Sequence, residues 1–333
     1  MSKVAKLLLG LFIGVALALA GITWLNRETS PTAPGKEFYI RWEGQSFNGA
    51  AKQLEEKGVL RNARAFGLMA RIDNKSAAPA DGTYLFRPGM TNEEIHKSMR
   101  TPIKQMVRIP EGWWISRVAA RLQEKNVCTA EEYIELASQP EKFKDVVSFK
   151  LPEKSLEGYL YPDTYELPPE LGAEGVIRRQ LQAFEKKVAS KVGESDLHKA
   201  VIIGSMVELE AALEPERARV AGVIQNRIDR GMRLEIDATV LYALGEWKEL
   251  GPGVVRTVES PYNTYLNAGL PPGPIGSPGA SSILAAIQPE KHPYLFYVAR
   301  PDRSHIFSRT YSDHLANIRK ARAEWREARQ EGA

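Results

Sequence analysis

Apolar and polar residues alternate with different periods along this chain. Lys3 and Lys6 precede an apolar run from Leu7 to Leu25, which Asn26, Arg27 and Glu28 close. At a rise of about 1.5 Å per residue, a helix of this length just spans a bilayer's hydrocarbon core. The flanking lysines predict a cytoplasmic N-terminus, residues 1–6, and an exported remainder. Ala18-Leu19-Ala20 before Gly21 also resembles a signal-peptide cleavage site. The run continues through Ile22, Trp24 and Leu25, which favours a retained transmembrane anchor over 7–25. In either case the working part lies outside the cytoplasm. Residues 26–36 read as a polar, Pro-containing linker.

From Glu37 the period changes. Phe38, Ile40 and Trp42 alternate as in a strand, helical patterns follow near 47–58 and 62–73, and Gly82–Phe86 reads as a returning strand. Thr91 with Glu94 makes a capping box for another short helix. These elements predict a small α+β module over 37–103. Val107–Gly112 then reads as a strand and turn. Helices are predicted near 115–126, 129–137, 172–192 and 197–213, and Pro215 opens one whose apolar face carries Val220, Val223, Ile224 and Ile228. Residues 156–168 are rich in aromatics and turn formers. Short helices at 238–244 and 279–287, a strand at Tyr294–Ala299 and a polar helix from Tyr311 complete a larger helix-rich α+β region, 104–333. The predicted class is therefore α+β throughout, behind one N-terminal transmembrane helix.

At 333 residues the chain is long enough for about two domains. Its 45 Lys and Arg against 41 Asp and Glu give a net charge of +4, with both signs interleaved. That pattern fits solvated helices and argues against nucleic acid as a partner. Cys128 is the only cysteine, so no intramolecular disulfide or thiolate zinc site can form. The five histidines make no His-Glu-x-x-His pattern, so no histidine-based metal site is expected, and scattered carboxylates are the alternative ligands.

Chemistry concentrates in Gly204-Ser-Met-Val-Glu-Leu-Glu210, late in a strongly apolar helix. A carboxyl group on such a helix loses hydration, which raises its pKa and favours the acid form near neutral pH. Glu208 and Glu210 point about 200° apart on a helix and cannot share one cleft as a close pair. Glu210 lies in line with Ile203, Val207 and Glu214, and Glu208 with Gly204, Ser205, Ala211 and Ala212. The first face is expected to be the drier, with Glu214 adding like-charge pressure on Glu210; a solvated helix edge is the alternative. Three loops accompany this helix: Glu157–Tyr165, Arg233–Val240, and Ser260–Tyr265 continuing through Gly269–Gly279. Aromatic rings beside Asn, Asp and Thr suit a sugar, although each loop alone is also ordinary turn chemistry. His305 and His314 carry a weaker signal, since a histidine near a helix start is commonly structural.

These segments together resemble the endolytic murein transglycosylase family, called MltG or YceG-like. The resemblance runs through Ser205–Glu210, Glu216-Arg217, Val220–Arg227, Gly231–Leu234, Asp237–Val240, Tyr262–Tyr265, Gly269–Gly273 and Ser277–Gly279, with Glu157–Tyr165 and the His305/His314 pair. Ala238 departs from the family's usual proline, and Glu235 stands where an uncharged polar residue is common. The resemblance implies an N-terminal anchor, a LysM-like wall-binding module and a catalytic region. It implies cleavage of the β-1,4 bond between N-acetylmuramic acid and N-acetylglucosamine within peptidoglycan strands, leaving 1,6-anhydro ends. It assigns the acid/base role to Glu210, and one carboxyl suffices because no water attacks. It implies no metal or organic cofactor.

Glu208, Glu157, Asp163, Asp237, Thr239, Tyr262, Asn263 and Tyr265 are candidates for substrate contact or support. The implied location is a bacterial inner membrane, single-pass, with the catalytic part on the periplasmic side. The implied partners are peptidoglycan strands, the membrane and wall synthases such as penicillin-binding proteins. A hydrolase of the same polymer, with Asp237 or Glu208 activating water, and a non-catalytic wall-binding scaffold are the competing readings.

Overall fold

The computed structural model describes residues 2–25, 36–192, 197–251 and 253–331. The linker expected over 26–36 lies, apart from Lys36, outside the described residues. The architecture is helix-rich α+β, with its strands in two-stranded pairs. Helix α1 (Lys3–Leu25) is long and apolar enough to cross a membrane. The chain divides into two compact units, one of residues 1–106 with 166–171, which includes α1, and one of 107–165 with 172–333.

In the first unit, β1 (Phe38–Trp42) pairs antiparallel with β2 (Gly82–Phe86), Ile40 opposite Tyr84. Helices α2 (Phe47–Glu56) and α3 (Ala63–Ile72) lie between them in sequence, capped by Ser46 and Asn62 side chains that accept backbone N–H bonds. Thr91 and Glu94 form the expected reciprocal capping box on α4 (Asn92–Ser98). Trp42, Phe47, Phe66, Tyr84, Phe86 and Ile95 fill the core. His96 belongs to that core: it stacks on Phe66 with ring centroids 4.4 Å apart, and burial holds its pKa below the usual value.

The chain passes into the second unit within β3 (Met106–Arg108), which pairs with β4 (Thr164–Glu166), and leaves it for residues 166–171 at the end of β4. The β4 strand sits inside a segment expected only to be turn-rich; three residues are too few to show a period, and its partner is remote in sequence. Helices α5 (Ile115–Glu124), α6 (Ala130–Ala137, capped by Thr129) and α7 (Ala173–Lys187) follow. At the centre lies α8 (Leu197–Glu210), buried on all sides from Ala200 to Val207. A helix apolar all round belongs inside the core. It packs against α9 (Arg217–Asp229) and α11 (Ala280–Ile287). Gly204 permits the close approach to α11, because a Cβ there would lie 3.1 Å from the Ile283 Cα.

The α8 helix stops at Glu210, three residues short of expectation. Pro215 disfavours helical geometry at the residue before it, and Glu214–Glu216 form a separate 3-10 turn ahead of α9. Glu214 therefore does not stand one helical turn beyond Glu210. Helix α10 (Asp237–Leu244) follows, and β5 (Phe296–Ala299) pairs antiparallel with β6 (His305–Ser308), Ala299 opposite His305. The β6 strand was not expected; the polar helix α12 (Tyr311–Glu331) closes the chain.

Candidate active site around Glu210

Glu210 occupies the last position of α8, where the last helical carbonyls present partial negative charge and disfavour a carboxylate. Its residue is half-buried. Burial pushes its carboxyl above the usual range. The Tyr297 hydroxyl, which donates to Oε2 at 2.9 Å, opposes that rise; the Asp237 carboxylate adds to it; His305 and Arg227 lower it further. The like charge acting on Glu210 is thus that of Asp237 from α10, where Glu214 had been expected. Glu210 makes no ion pair among the described residues, so its only anchor there is the tyrosine hydroxyl.

Its neighbours are each held in place. Glu216 accepts from the His305 backbone N–H at 3.1 Å and meets His305 Nδ1 at 2.7 Å. With a carboxylate as its partner, His305 Nδ1 is assigned the hydrogen. The His305 ring lies edge-on to Tyr297, with centroids 5.3 Å apart. Arg227 is buried: Nε donates to the Leu295 carbonyl at 2.7 Å and Nη1 to the Leu234 carbonyl at 2.6 Å, tying the loop before α10 to the segment leading into β5. Tyr265 donates to Asp237 Oδ1 at 2.6 Å.

Glu208 faces a different set of partners. Oε1 accepts from Arg217 at 2.9 Å, and Oε2 from the Gly279 N–H at 2.9 Å and the Ser282 hydroxyl at 2.8 Å. Its side chain is 6% exposed, so dryness does not distinguish the two glutamates as the sequence suggested. Pairing does: Glu208 is fully compensated and fastens the Pro/Gly loop to α8. Arg217 also meets the Ser281 hydroxyl, and it lies 3.9 Å from Glu111, whose carboxyl is pushed up by burial and by Glu208.

The remaining candidates divide by position. Asp237 and Tyr265 stand at Glu210. Thr239 and Thr264 share a buried hydroxyl contact of 3.0 Å that braces α10 on the Ser260–Tyr265 loop. Asn263 is fully buried, and its amide donates to the carbonyls of Val255 and Val258 at 2.8 Å. That burial leaves it no surface toward a ligand. Asp163 pairs with Lys187 at 2.5 Å beside the β3–β4 ribbon; burial raises its pKa, but the Lys187 and Thr164 hydrogen bonds prevail and hold it low. Glu157 and Tyr262 line a separate cavity. His314 stacks on Phe296 at 5.1 Å, apart from its expected companion His305.

Tyr297, Glu216 and Arg227 are the neighbours sequence reasoning did not single out. Tyr297 reads there as one more aromatic on a strand, and Arg227 as a solvated helix charge. Among the described residues, no group of three or more His, Cys, Asp or Glu is placed to hold a metal ion. The site can therefore offer one carboxyl pushed toward its acid form, a donor that fixes one of its oxygens, and a nearby negative charge.

A profile of the YceG-like family matches residues 39–320. The endolytic murein transglycosylase of Bacillus subtilis (strain 168) is 29% identical over 291 residues, covering 81% of this chain and 81% of that protein. The endolytic murein transglycosylase of Streptococcus pneumoniae serotype 2 (strain D39 / NCTC 7466) is 29% identical over 313 residues, covering 83% of this chain and 56% of that protein. Among solved structures, the 2.6 Å crystal structure of a yceG-like protein of Listeria monocytogenes aligns with a TM-score of 0.55 at 30% identity, covering 85% of this chain and 99% of that one. With the family profile spanning most of its length, the chain belongs to the YceG-like family.

Proposed function

We propose that this protein is a membrane-anchored endolytic peptidoglycan lytic transglycosylase in which Glu210 is the acid and then the base. The observation that carries the reading is the half-buried Glu210 carboxyl, pushed toward its acid form and anchored by a neutral tyrosine, in a YceG-like chain. Tyr297 occupies Oε2, which leaves Oε1 to deliver the proton to the glycosidic oxygen. As the bond from that oxygen to the muramoyl C1 breaks, the Asp237 charge favours the positive character developing on the sugar. Glu210, now a carboxylate, takes the proton of the muramoyl 6-hydroxyl as its oxygen bonds to C1. One bond forms, one breaks, Glu210 regains its proton, and no water is consumed.

Glu208 is committed to Arg217, Gly279 and Ser282, which supports a bracing role over water activation. In this reading residues 104–333 are the catalytic region and 37–103 a LysM-like glycan-binding module, supported by the strand-helix-helix-strand order of β1, α2, α3 and β2. The α1 helix serves as a retained anchor in the inner membrane, with the rest of the chain periplasmic. A tethered cutter of this kind would end nascent strands beside the penicillin-binding synthases that extend them. Digestion of peptidoglycan in ¹⁸O-labelled water tests the chemistry. New chain ends without label and 18 Da lighter than reducing ends are expected; labelled reducing ends would mean a hydrolase.

A further inference from the structure

Glu157 carries a carboxyl group that the chemistry at Glu210 does not use. It is 6% exposed. Oε2 accepts from the Ile115 backbone N–H at 3.1 Å and the Tyr242 hydroxyl at 3.3 Å. The buried Oε1 has no hydrogen-bond partner among the described residues. An unpaired buried oxygen is costly, and a ligand with a matching polar group recovers that cost.

The carboxyl lines a cavity of about 450 Å³, within the size range of small-ligand sites. Leu151, Tyr159, Tyr262 and Pro274 give it apolar walls, and Lys154 stands exposed on its rim. Beyond Glu157 the aromatic surface continues. The Tyr242 ring lies 4.9 Å from Tyr262, Trp114 lies 6.0 Å from Tyr242, and the exposed Trp247 lies 6.0 Å from Trp114. Glu157 also borders a smaller cavity lined by Trp114 and Tyr242, so it lies beside this row of rings.

We infer that the Glu157 cavity is a distal saccharide subsite, holding an uncharged N-acetylhexosamine unit of the strand cut at Glu210, with a sugar hydroxyl on Glu157 Oε1 and a ring face on Tyr262. The inference rests on the reading of Glu210 as catalyst. Two elements join the places. The α10 helix starts with Asp237 at Glu210 and presents Tyr242 to Glu157 about 7–8 Å further along its axis. The Ser260–Tyr265 loop sends Tyr265 to Asp237 and Tyr262 to the cavity. His198, on the cavity's edge, and Glu210 stand near opposite ends of α8, about 18 Å apart along it. A strand of a few sugars spans that distance. Burial pushes the Glu157 carboxyl up to about 7, so both protonation states occur near neutral pH. A hydroxyl can donate or accept and satisfies either state, whereas an ammonium or a carboxylate satisfies only one.

The test titrates the full-length Glu210→Gln protein in detergent with β-1,4-linked N-acetylglucosamine dimers and hexamers, by calorimetry. It repeats the titration after adding Lys154→Trp, which obstructs the cavity mouth from an exposed position, and separately after adding Ser155→Trp. The hexamer is expected to bind at least about tenfold more tightly than the dimer, and each tryptophan to erase most of that ratio. Hexamer affinity unchanged in both folded variants would overturn the subsite. The products of wild-type peptidoglycan digestion are read separately. Anhydro ends with no effect of the tryptophans sink the subsite alone. A tryptophan-sensitive hexamer without anhydro ends sinks the chemistry at Glu210 and leaves a saccharide site.

Discussion

Replacing Glu157 by Gln isolates the energetic consequence of burying a carboxyl group among aromatic rings. The side chain keeps its shape, and its amide oxygen can still accept from Ile115 and Tyr242. Only the ionisation is lost. In the folded protein burial pushes this carboxyl up from 4.5 to about 7, against the opposing hydrogen bonds from Ile115, Tyr242 and the Gly158 backbone. The sign follows from proton binding. Between 4.5 and 7 the unfolded chain has released this proton while the folded chain retains it, so folding stability falls as pH rises. The stability is fully present below 4.5 and lost as pH climbs through 7. At 1.36 kcal/mol per pH unit, the full loss is about 3 kcal/mol. For a unit of this size each kcal/mol moves Tm by about 2–4 °C. Glu157→Gln is therefore expected to melt about 6–12 °C above wild type at pH 8.5 and close to it at pH 4.5. Thermal unfolding of both proteins across that range gives the difference, in which all other titrating groups cancel. Parallel curves would refute the claim that Glu157 is a dry, ionisable group.

Three further perturbations address other parts of the account. Tyr297→Phe removes the hydrogen bond that favours the Glu210 carboxylate, so the alkaline limb of the kcat/KM profile should move to higher pH, with kcat falling about tenfold as the carboxyl loses its orientation. An unmoved alkaline limb would separate Tyr297 from the acid. Arg217→Met leaves Glu208 buried beside neutral donors only, and denaturant unfolding should register a loss of about 3–5 kcal/mol. Gly204→Ala pushes a methyl against the Ile283 backbone, and a cost of about 1–3 kcal/mol should appear in the same unfolding assay.

Local signals predicted the elements that local physics decides. The Thr91–Glu94 capping box and the alternation of Phe38, Ile40 and Trp42 each determine a short element from its own residues, and each appears where expected. The all-apolar α8 announced its burial in the same way. Its end was misread because periodicity continued through Ala211 and Leu213, while the backbone restriction at Pro215 turned the chain earlier. The strands β4 and β6 escaped notice because a three- or four-residue strand depends on a remote partner. The site shows the same division. Glu210 and Asp237 stood in recognisable segments, as did Glu216 and Arg227, but the roles of Tyr297, Glu216 and Arg227 arise from contacts spanning tens of residues, which their identities alone do not reveal. The contrast between Glu208 and Glu210 was legible only as a difference in direction. Which of them carries a compensating charge depends on where Arg217 falls.

The most direct test of the central claim is mass spectrometry of the fragments released from purified peptidoglycan by the full-length protein, wild type beside Glu210→Gln, with Glu208→Gln checked for folding. The account predicts internal glycan fragments ending in 1,6-anhydromuramic acid from wild type and none above background from Glu210→Gln. Anhydro ends persisting in a folded Glu210→Gln protein, or lost only in a folded Glu208→Gln protein, would contradict it.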